Sequence, residues 1–324
     1  MAGRKADKKI RDVIIIGAGC SGLAAAVYCG RFLLRTLVVG EIIGGVIITT
    51  DVVENYPGFI RLTGTELARK LEDHARDYKS VEIREEKVLD AEKHGNIFKV
   101  VTEEGTYYGR TLIVASGTEY RKLDVPGEKE LANRGVHYCA LCDGAIYKDK
   151  VVAVIGGSDS AAKEALVLTQ WAKKVYMVYR GDKIRPEPVN YERVMANKKI
   201  EIISSTNVTR INGSSNNVVS GLSLDKPYKG GRELSVDAAF VAIGHIPLTG
   251  FAKKLGIKTN DKGELMIDRN SRTNVPGIFA SGDVVDTSFK QAITGAAEGV
   301  LAAYAAYQHV NDNKVILPTG DVHE

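Results

Sequence analysis

Two thiols, Cys139 and Cys142, stand three residues apart in the stretch VHYCALCDG at 136–144, with Asp143 directly behind them. A Cys-x-x-Cys pair at a turn or helix start brings its sulfurs within disulfide distance, and a helix N-terminus with a nearby proton donor tunes the thiolates. The chemistry this favours is a dithiol that opens and closes, with Asp143 giving and taking the proton. The same spacing serves zinc, but a zinc site usually needs a second such pair or histidines at ligand spacing. The other two of the four cysteines, Cys20 and Cys29, sit in a different pattern, so no metal is expected. A redox dithiol needs a source of electrons, and the flanking sequence has room for one.

With 324 residues, the chain is long enough for two domains with full cores. Its 33 glycines exceed the usual share and suggest tight turns used for ligand contact. Lysine and arginine number 44 against 40 acidic residues, and part of the surplus lies in the tail Arg4, Lys5, Lys8, Lys9 and Arg11. So small an excess before a first strand reads as a solvated start, and no nucleic-acid partner is expected. The start is charged rather than signal-like, and no apolar run is long enough for a membrane helix. The expectation is a soluble, cytoplasmic protein, where a Cys-x-x-Cys pair is more often catalytic than structural.

Two stretches before and after the dithiol have the form strand, glycine turn, helix. In the first, DVIIIGAGCSG at 12–22, Gly17 permits the tight turn, Gly19 lets backbone approach a pyrophosphate, and Gly22 allows helix and strand to pack closely. The anion would rest on the helix N-terminus. A second strand, Thr36 to Val39, leads to Glu41, placed to accept from a ribose hydroxyl. Gly45, Val46 and Asn55 follow in a glycine-rich loop, a helix is expected from Gly64 to Lys79, and the segments Val81 to Leu89, Ile97 to Val101 and Gly105 to Tyr108 alternate like antiparallel strands. Thr111 to Gly117 reads as a buried strand, and Pro126-Gly127 as a linker.

The second unit opens at Val151 and carries GGSDSA at 156–161, with Gly156, Ser158 and Ser160 in the turn and a helix from Lys163 to Trp171. Its next strand, Lys174 to Tyr179, delivers Arg180, with Lys183 and Arg185 behind it. Cations there suit a ribose 2′-phosphate, whose oxygens match the guanidinium fork. Repetition of the unit about 140 residues on points to two dinucleotides. Near the end, Gly282-Asp283 can set a carboxylate on a ribitol hydroxyl, and a helix starting near Gln291-Ala292 offers N–H groups to a flavin carbonyl. His245, beside a proline in a turn, reads as structural, and His74 as a surface residue of its helix.

The pieces GAGCSG at 17–22, GG at 44–45, ENYPG at 54–58, CALCD at 139–143, GGSDSA at 156–161, GHIP at 244–247, GDVVD at 282–286 and QAIT at 291–294 together resemble the low-molecular-weight thioredoxin reductases. The likeness spans nearly the whole chain, and the order and spacing of the pieces are far more specific than either glycine motif alone.

The resemblance implies an α/β fold of two Rossmann-like nucleotide-binding domains, three-layered, with the second inserted into the first. It implies a discontinuous FAD-binding domain at 1–118 and 250–324 and an NAD(P)H-binding domain at 119–249 carrying the dithiol, with hinges near Thr118 to Gly127 and Ile243 to Gly250. Non-covalent FAD is then expected at Gly17, Gly19, Gly22, Glu41, Gly45, Asn55, Asp283, Gln291 and Ala292. NADPH is expected at the second glycine turn with Arg180 and Arg185. In that scheme Cys142 takes electrons from the flavin, Cys139 exchanges with the partner's disulfide, and Asp143 protonates the departing thiolate.

The implied protein is a homodimer that reduces thioredoxin or a glutaredoxin-like protein. Three positions depart from the family pattern: Ser158 stands for a usual glycine, Gly181 for a usual arginine and Val46 for a usual glutamine. The first two leave NADH, reduced ferredoxin or a deazaflavin as alternative donors. A peroxide-detoxifying disulfide partner, and a flavin-bearing redox sensor without turnover, also stay open.

Overall fold

The computed structural model describes residues 5–312, so Arg4 of the basic tail and the ends of the expected first domain, 1–4 and 313–324, lie outside the described residues. The chain divides into two compact units, Met1–Glu119 with Pro247–Glu324, and Tyr120–Ile246.

The first unit is built on strand Lys5–Ile16, whose apolar run alternates between two faces. Val13 and Ile15 point into a core shared with the helices Cys20–Arg31 and Ala292–Asp312, while Ile14 and Ile16 point into a second core on the other face. A period of two explains why four consecutive apolar residues are all buried: a strand covered on both faces needs no polar position. The sheet runs Val81–Glu85, Thr36–Gly40, Lys5–Ile16, Gly105–Val114, Ile97–Thr102, Val88–His94, and strand Ile278–Ala280 joins Gly105–Val114 at Leu112 to Val114.

The segment from Val81 to Leu89 was expected as one antiparallel strand, and the structure divides it. Val81–Glu85 lies parallel to Thr36–Gly40, and only Val88–His94 enters the antiparallel meander with Ile97–Thr102 and Gly105–Val114. Alternation alone fixes the faces of a strand but not its direction. Gly105–Val114, by contrast, is a single strand, parallel to Lys5–Ile16 in both halves, antiparallel to Ile97–Thr102 in its first half and parallel to Ile278–Ala280 at its end. Helix Gly64–Arg76 begins at a reciprocal cap in which Thr63 and Glu66 each bond the other's backbone N–H, and ends three residues before the expected Lys79.

Helix Ala292–Asp312 brings the end of the chain onto the first helix at very close range. A Cβ on Gly299 would stand 2.2 Å from the Ser21 carbonyl, and one on Gly295 3.2 Å from the Gly282 Cα. Glycine at these positions lets the two backbones touch, a requirement that sequence reading did not single out.

The second unit has a five-stranded parallel sheet in the order Ile200–Ile203, Lys174–Val178, Val151–Ile155, Ala238–Val241, Val136–His137. Val152, Val154, Ala238 and Phe240 face the helix Asp159–Leu168. Ala153, Ile155, Ala239 and Val241 face a three-stranded antiparallel sheet formed by Val208–Gly213, Val219–Tyr228 and Gly231–Leu234. This unit is therefore three layers deep. Helix Pro188–Ala196 was not anticipated, although Pro188 in its first turn is a recognised start signal.

Pro126-Gly127 is not a linker. Ile211 N–H donates to the Pro126 carbonyl at 3.0 Å, and a Cβ on Gly127 would stand 1.9 Å from the Ile211 carbonyl, so this turn is built into the second unit. The chain crosses between units next to Glu119 and Ile246, within the short strands Thr118–Tyr120 and His245–Pro247, which pair with each other. Among the described residues no helix is long and apolar enough to cross a membrane, and no group of three or more His, Cys, Asp or Glu could hold a metal ion.

Candidate active site

The dithiol sits in the second unit, just after strand Val136–His137. Cys139 and Cys142 form a disulfide around the single helical turn Ala140–Asp143. Cys139 caps that turn, its Sγ accepting from the Cys142 N–H at 3.1 Å. Cys139 is only 6% exposed, whereas Cys142 is open to solvent.

The Ala140 N–H donates to the Glu164 carboxylate, which reaches across from helix Asp159–Leu168. Burial, reinforced by the charge of Asp143 and opposed by that hydrogen bond, pushes the Glu164 carboxyl up to about 7. Two half-buried carboxyl groups therefore flank the turn.

Asp143 meets an aromatic group on its inner side. Its Oδ2 lies 3.1 Å from Nδ1 of His137, the Nε2 of that ring lies 2.7 Å from the Tyr147 hydroxyl, and the ring stacks on Phe240 with centroids 5.2 Å apart. His137 is 4% exposed, and burial lowers its affinity for a second proton even though Asp143 opposes the shift. Neither His137, Tyr147 nor Glu164 was marked by sequence reading.

The glycine turn of the second unit follows strand Val151–Ile155. Gly156 has φ +148°, and a Cβ there would stand 2.2 Å from the Ala242 carbonyl, so close packing of the turn on the neighbouring strand end requires glycine. Ser158 and Ser160 are exposed; Ser158 caps helix Asp159–Leu168 without a side-chain hydrogen bond. Asp159 ties the turn to the loop beyond, accepting from Glu187 N–H at 2.9 Å and from Asn190 Nδ2 at 2.8 Å. Arg180 and Arg185 are both exposed on that loop side, and Arg185 N–H donates to the Gly157 carbonyl at 2.7 Å. The Tyr179 ring lies against two glycines: a Cβ on Gly157 would be 2.4 Å from it, and one on Gly181 2.6 Å.

In the first unit the three fingerprint glycines separate by cause. A Cβ on Gly17, where φ is +110°, would stand 2.0 Å from the Ala115 carbonyl, and one on Gly22 would stand 1.9 Å from the Gly17 carbonyl. Those two are demanded by the fold. Gly19 is different: its φ of −79° suits any residue, and a Cβ would meet only ordinary contacts at 3.7 and 3.9 Å. Nothing in the protein requires glycine there, which fits a ligand approaching the backbone at that point.

Around this turn the structure assembles several expected residues. Asn55 Nδ2 donates to Gln291 Oε1 at 2.9 Å, although 236 residues separate them. Gly45 packs on Gly19, with a Cβ 3.0 Å from the Gly19 Cα. Ala292 opens the last helix, and Asp283 lies near enough to Cys20 for its charge to assist burial in raising that thiol to about 12. Glu41, exposed just past strand Thr36–Gly40, is paired with Lys87 at 2.9 Å, and Val46 is exposed in the short helix Gly45–Thr49.

Supporting groups that sequence reading missed hold this end in place. Ser21 and Ser281 share a buried hydrogen bond of 2.6 Å. Lys290 donates to the Asp283 carbonyl at 2.7 Å while pairing with Glu264, and Glu298 accepts from the Gly282 N–H at 2.8 Å. Each joins residues distant in sequence or outside any motif, so no local signal marks them.

The profile of the pyridine nucleotide-disulphide oxidoreductase family matches residues 11–299. The chain is 39% identical over 318 residues to a thioredoxin reductase of Bacillus subtilis, covering 97% of this chain and 99% of that protein. It is 41% identical over 315 residues to a thioredoxin reductase of Listeria monocytogenes, covering 95% and 96%. The crystal structure of Lactococcus lactis thioredoxin reductase superposes with a TM-score of 0.89 at 36% identity, covering 94% of this chain and all of that one.

Proposed function

Since this chain belongs to the low-molecular-weight thioredoxin reductases of the pyridine nucleotide-disulphide oxidoreductase family, we propose that it reduces thioredoxin with electrons from NADPH, through FAD and the Cys139–Cys142 dithiol. The observation that carries this reading is the Cys139–Cys142 disulfide, formed around one helical turn with the carboxyl of Asp143 next to it.

FAD is assigned to the unit Met1–Glu119 with Pro247–Glu324, and the nicotinamide nucleotide to Tyr120–Ile246. Gly17, Gly19 and Gly22 would cradle the pyrophosphate, with the Gly19 backbone left open for it. Glu41 would take the adenosine ribose, Asp283 the ribitol chain, and Gly45, Val46, Asn55, Gln291 and Ala292 the ring region. A bound flavin supplies the step from hydride chemistry to thiol chemistry. Gly156, Ser158, Ser160, Arg180 and Arg185 would hold NADPH, the two guanidinium groups answering the 2′-phosphate.

Once reduced, the dithiol acts by exchange. A thiolate of the pair attacks the partner disulfide, a mixed disulfide forms, and the second thiolate resolves it, re-forming Cys139–Cys142 and releasing a reduced partner. Asp143, protonated, gives its proton to the departing thiolate. The resemblance assigns the attack to Cys139; because Cys139 is covered in the disulfide form, that role requires it to become accessible when the bond opens.

The Tyr179 ring beside Gly157 and Gly181 is the observation that favours a second donor. A Cβ at 181 would meet that ring at 2.6 Å, so the side chain usual at this position is absent, and NADH, reduced ferredoxin or a deazaflavin would not need its cation. A glutaredoxin-like or peroxide-detoxifying partner is the corresponding alternative for the acceptor, and a homodimer is the assembly proposed.

The test is steady-state reduction of thioredoxin by NADPH with C142S and C139S beside the unaltered protein. C142S is expected to abolish thioredoxin reduction while its flavin is still bleached by NADPH. Thioredoxin reduction at the normal rate by C142S would overturn the thiol route.

A further inference from the structure

A proton-transfer role for Asp143 requires that its carboxyl be held in place beside the dithiol. Asp143 is part of a single helical turn, and its side chain is 40% exposed, so its own element does little to fix its orientation. Behind it, His137 is fixed on every side: it belongs to strand Val136–His137, pairs in register with Phe240, stacks on that ring, and meets the Tyr147 hydroxyl at 2.7 Å through Nε2. Its Nδ1 is buried and lies 3.1 Å from Asp143 Oδ2, yet out of line for a hydrogen bond with it. A buried ring nitrogen left unbonded is costly, and a modest turn of the exposed carboxyl completes the bond.

We propose that His137 is a positioning residue for this reaction: as a neutral ring with its proton on Nδ1, set by the Tyr147 hydroxyl donating to Nε2, it orients the Asp143 carboxyl beside the dithiol. The arrangement is one in which the hydrogen bond on one nitrogen decides what the other offers. It rests on the proposed dithiol chemistry for its purpose, though not for its geometry. Burial discourages a second proton on His137 and outweighs the Asp143 charge, which favours one, while the other acids act on neighbouring groups: Glu164 accepts from the Ala140 N–H, and Asp237 acts on Tyr147 and is paired with Lys150. Were the proton on Nε2 instead, the Nδ1 lone pair would repel the ionised carboxyl and draw the O–H of the protonated one toward the ring, away from the departing thiolate.

Two measurements test this. The first is the imidazole 15N spectrum of the full-length protein, with the His137 signals identified by their loss in H137N. A neutral Nδ1–H tautomer at pH 7 is expected, and a neutral Nε2–H tautomer overturns the proposal whether or not the protein reduces thioredoxin.

The second is thioredoxin reduction by H137N, H137Q and H137F, each rate divided by that variant's own rate of flavin bleaching by NADPH. Asn places an N–H donor where Nδ1 stands, whereas Gln places one where Nε2 stands and Phe offers none. H137N is expected within about threefold of the unaltered protein, and H137Q and H137F about tenfold lower in kcat with KM unchanged, a part of what general acid catalysis contributes. A packing role predicts the reverse order, because Gln and Phe fill the buried site better than Asn, and that order refutes positioning. Inactivity of the unaltered protein toward every thioredoxin would count against the proposed function and leave the tautomer as the deciding result.

Discussion

Gly19→Ala and Gly22→Ala add the same methyl group three residues apart, and the structure assigns them opposite consequences. At Gly22 the new Cβ would stand 1.9 Å from the Gly17 carbonyl, a backbone atom, so helix Cys20–Arg31 must move off its strand. Overpacking of that kind costs about 3 kcal/mol, and a large unit should lose roughly 6–12 °C in melting temperature. At Gly19 the Cβ meets nothing closer than 3.7 Å and φ is −79°. The loss of glycine at a helix cap and the gain from a less free unfolded chain are each below about 1 kcal/mol and oppose each other. The G19A apoprotein should therefore melt within a few degrees of the unaltered one.

What G19A should lose is the flavin, because a methyl at the cap holds a pyrophosphate off the backbone N–H groups. One hydrogen bond to a charged group contributes about 1.5–3 kcal/mol, roughly a ten- to hundredfold change in affinity. The assay is calorimetric melting of both apoproteins followed by fluorimetric titration with FAD. FAD binding by G19A as tight as that of the unaltered protein would refute the assignment of this turn, and so would apoprotein destabilisation equal to that of G22A.

Glu164→Gln tests the half-buried carboxyl that accepts from the dithiol turn. The folded-state value of about 7 lies above the ordinary glutamate value of 4.5, so the native state holds the extra proton and stability falls as pH rises between the two. E164Q keeps an acceptor for the Ala140 N–H and should flatten that fall in urea titrations run from pH 4.5 to 7.5; an unchanged slope would show that Glu164 titrates normally. R180Q combined with R185Q should raise KM for NADPH about tenfold or more with little change for NADH, since the guanidinium groups would face only the 2′-phosphate. Equal losses for both nucleotides would assign these arginines to the shared part of the molecule.

The legible parts of this protein were those whose cause is local. Gly17 and Gly22 are forced by the turn they make, the dithiol spacing is forced by the helical turn it brackets, and the strand DVIII at 12–16 announces burial on both faces. Asn55 and Gln291 were each marked alone, and only folding shows that they bond to each other. The illegible parts act across the chain. Gly299 matters because Ser21 passes beneath it, Lys290 because it holds the Asp283 carbonyl, and Tyr179 because two glycines make room for its ring. His137 lies inside the very stretch that drew attention first, yet its importance comes from Tyr147 and Phe240, which no spacing rule connects to it. Direction was hidden for a similar reason: Val81–Glu85 alternates as any half-buried strand does, and its parallel pairing with Thr36–Gly40 is a property of the crossover helix between them.

The most direct test of the central claim is anaerobic titration of the purified, flavin-loaded protein with NADPH and, separately, with NADH, followed through the flavin's visible absorption. Rapid bleaching by NADPH, with NADH much slower, is the result predicted for electrons entering at the second glycine turn beside Arg180 and Arg185. A flavin that stays oxidised with both nucleotides would contradict the account and move the electron entry to a ferredoxin or deazaflavin donor.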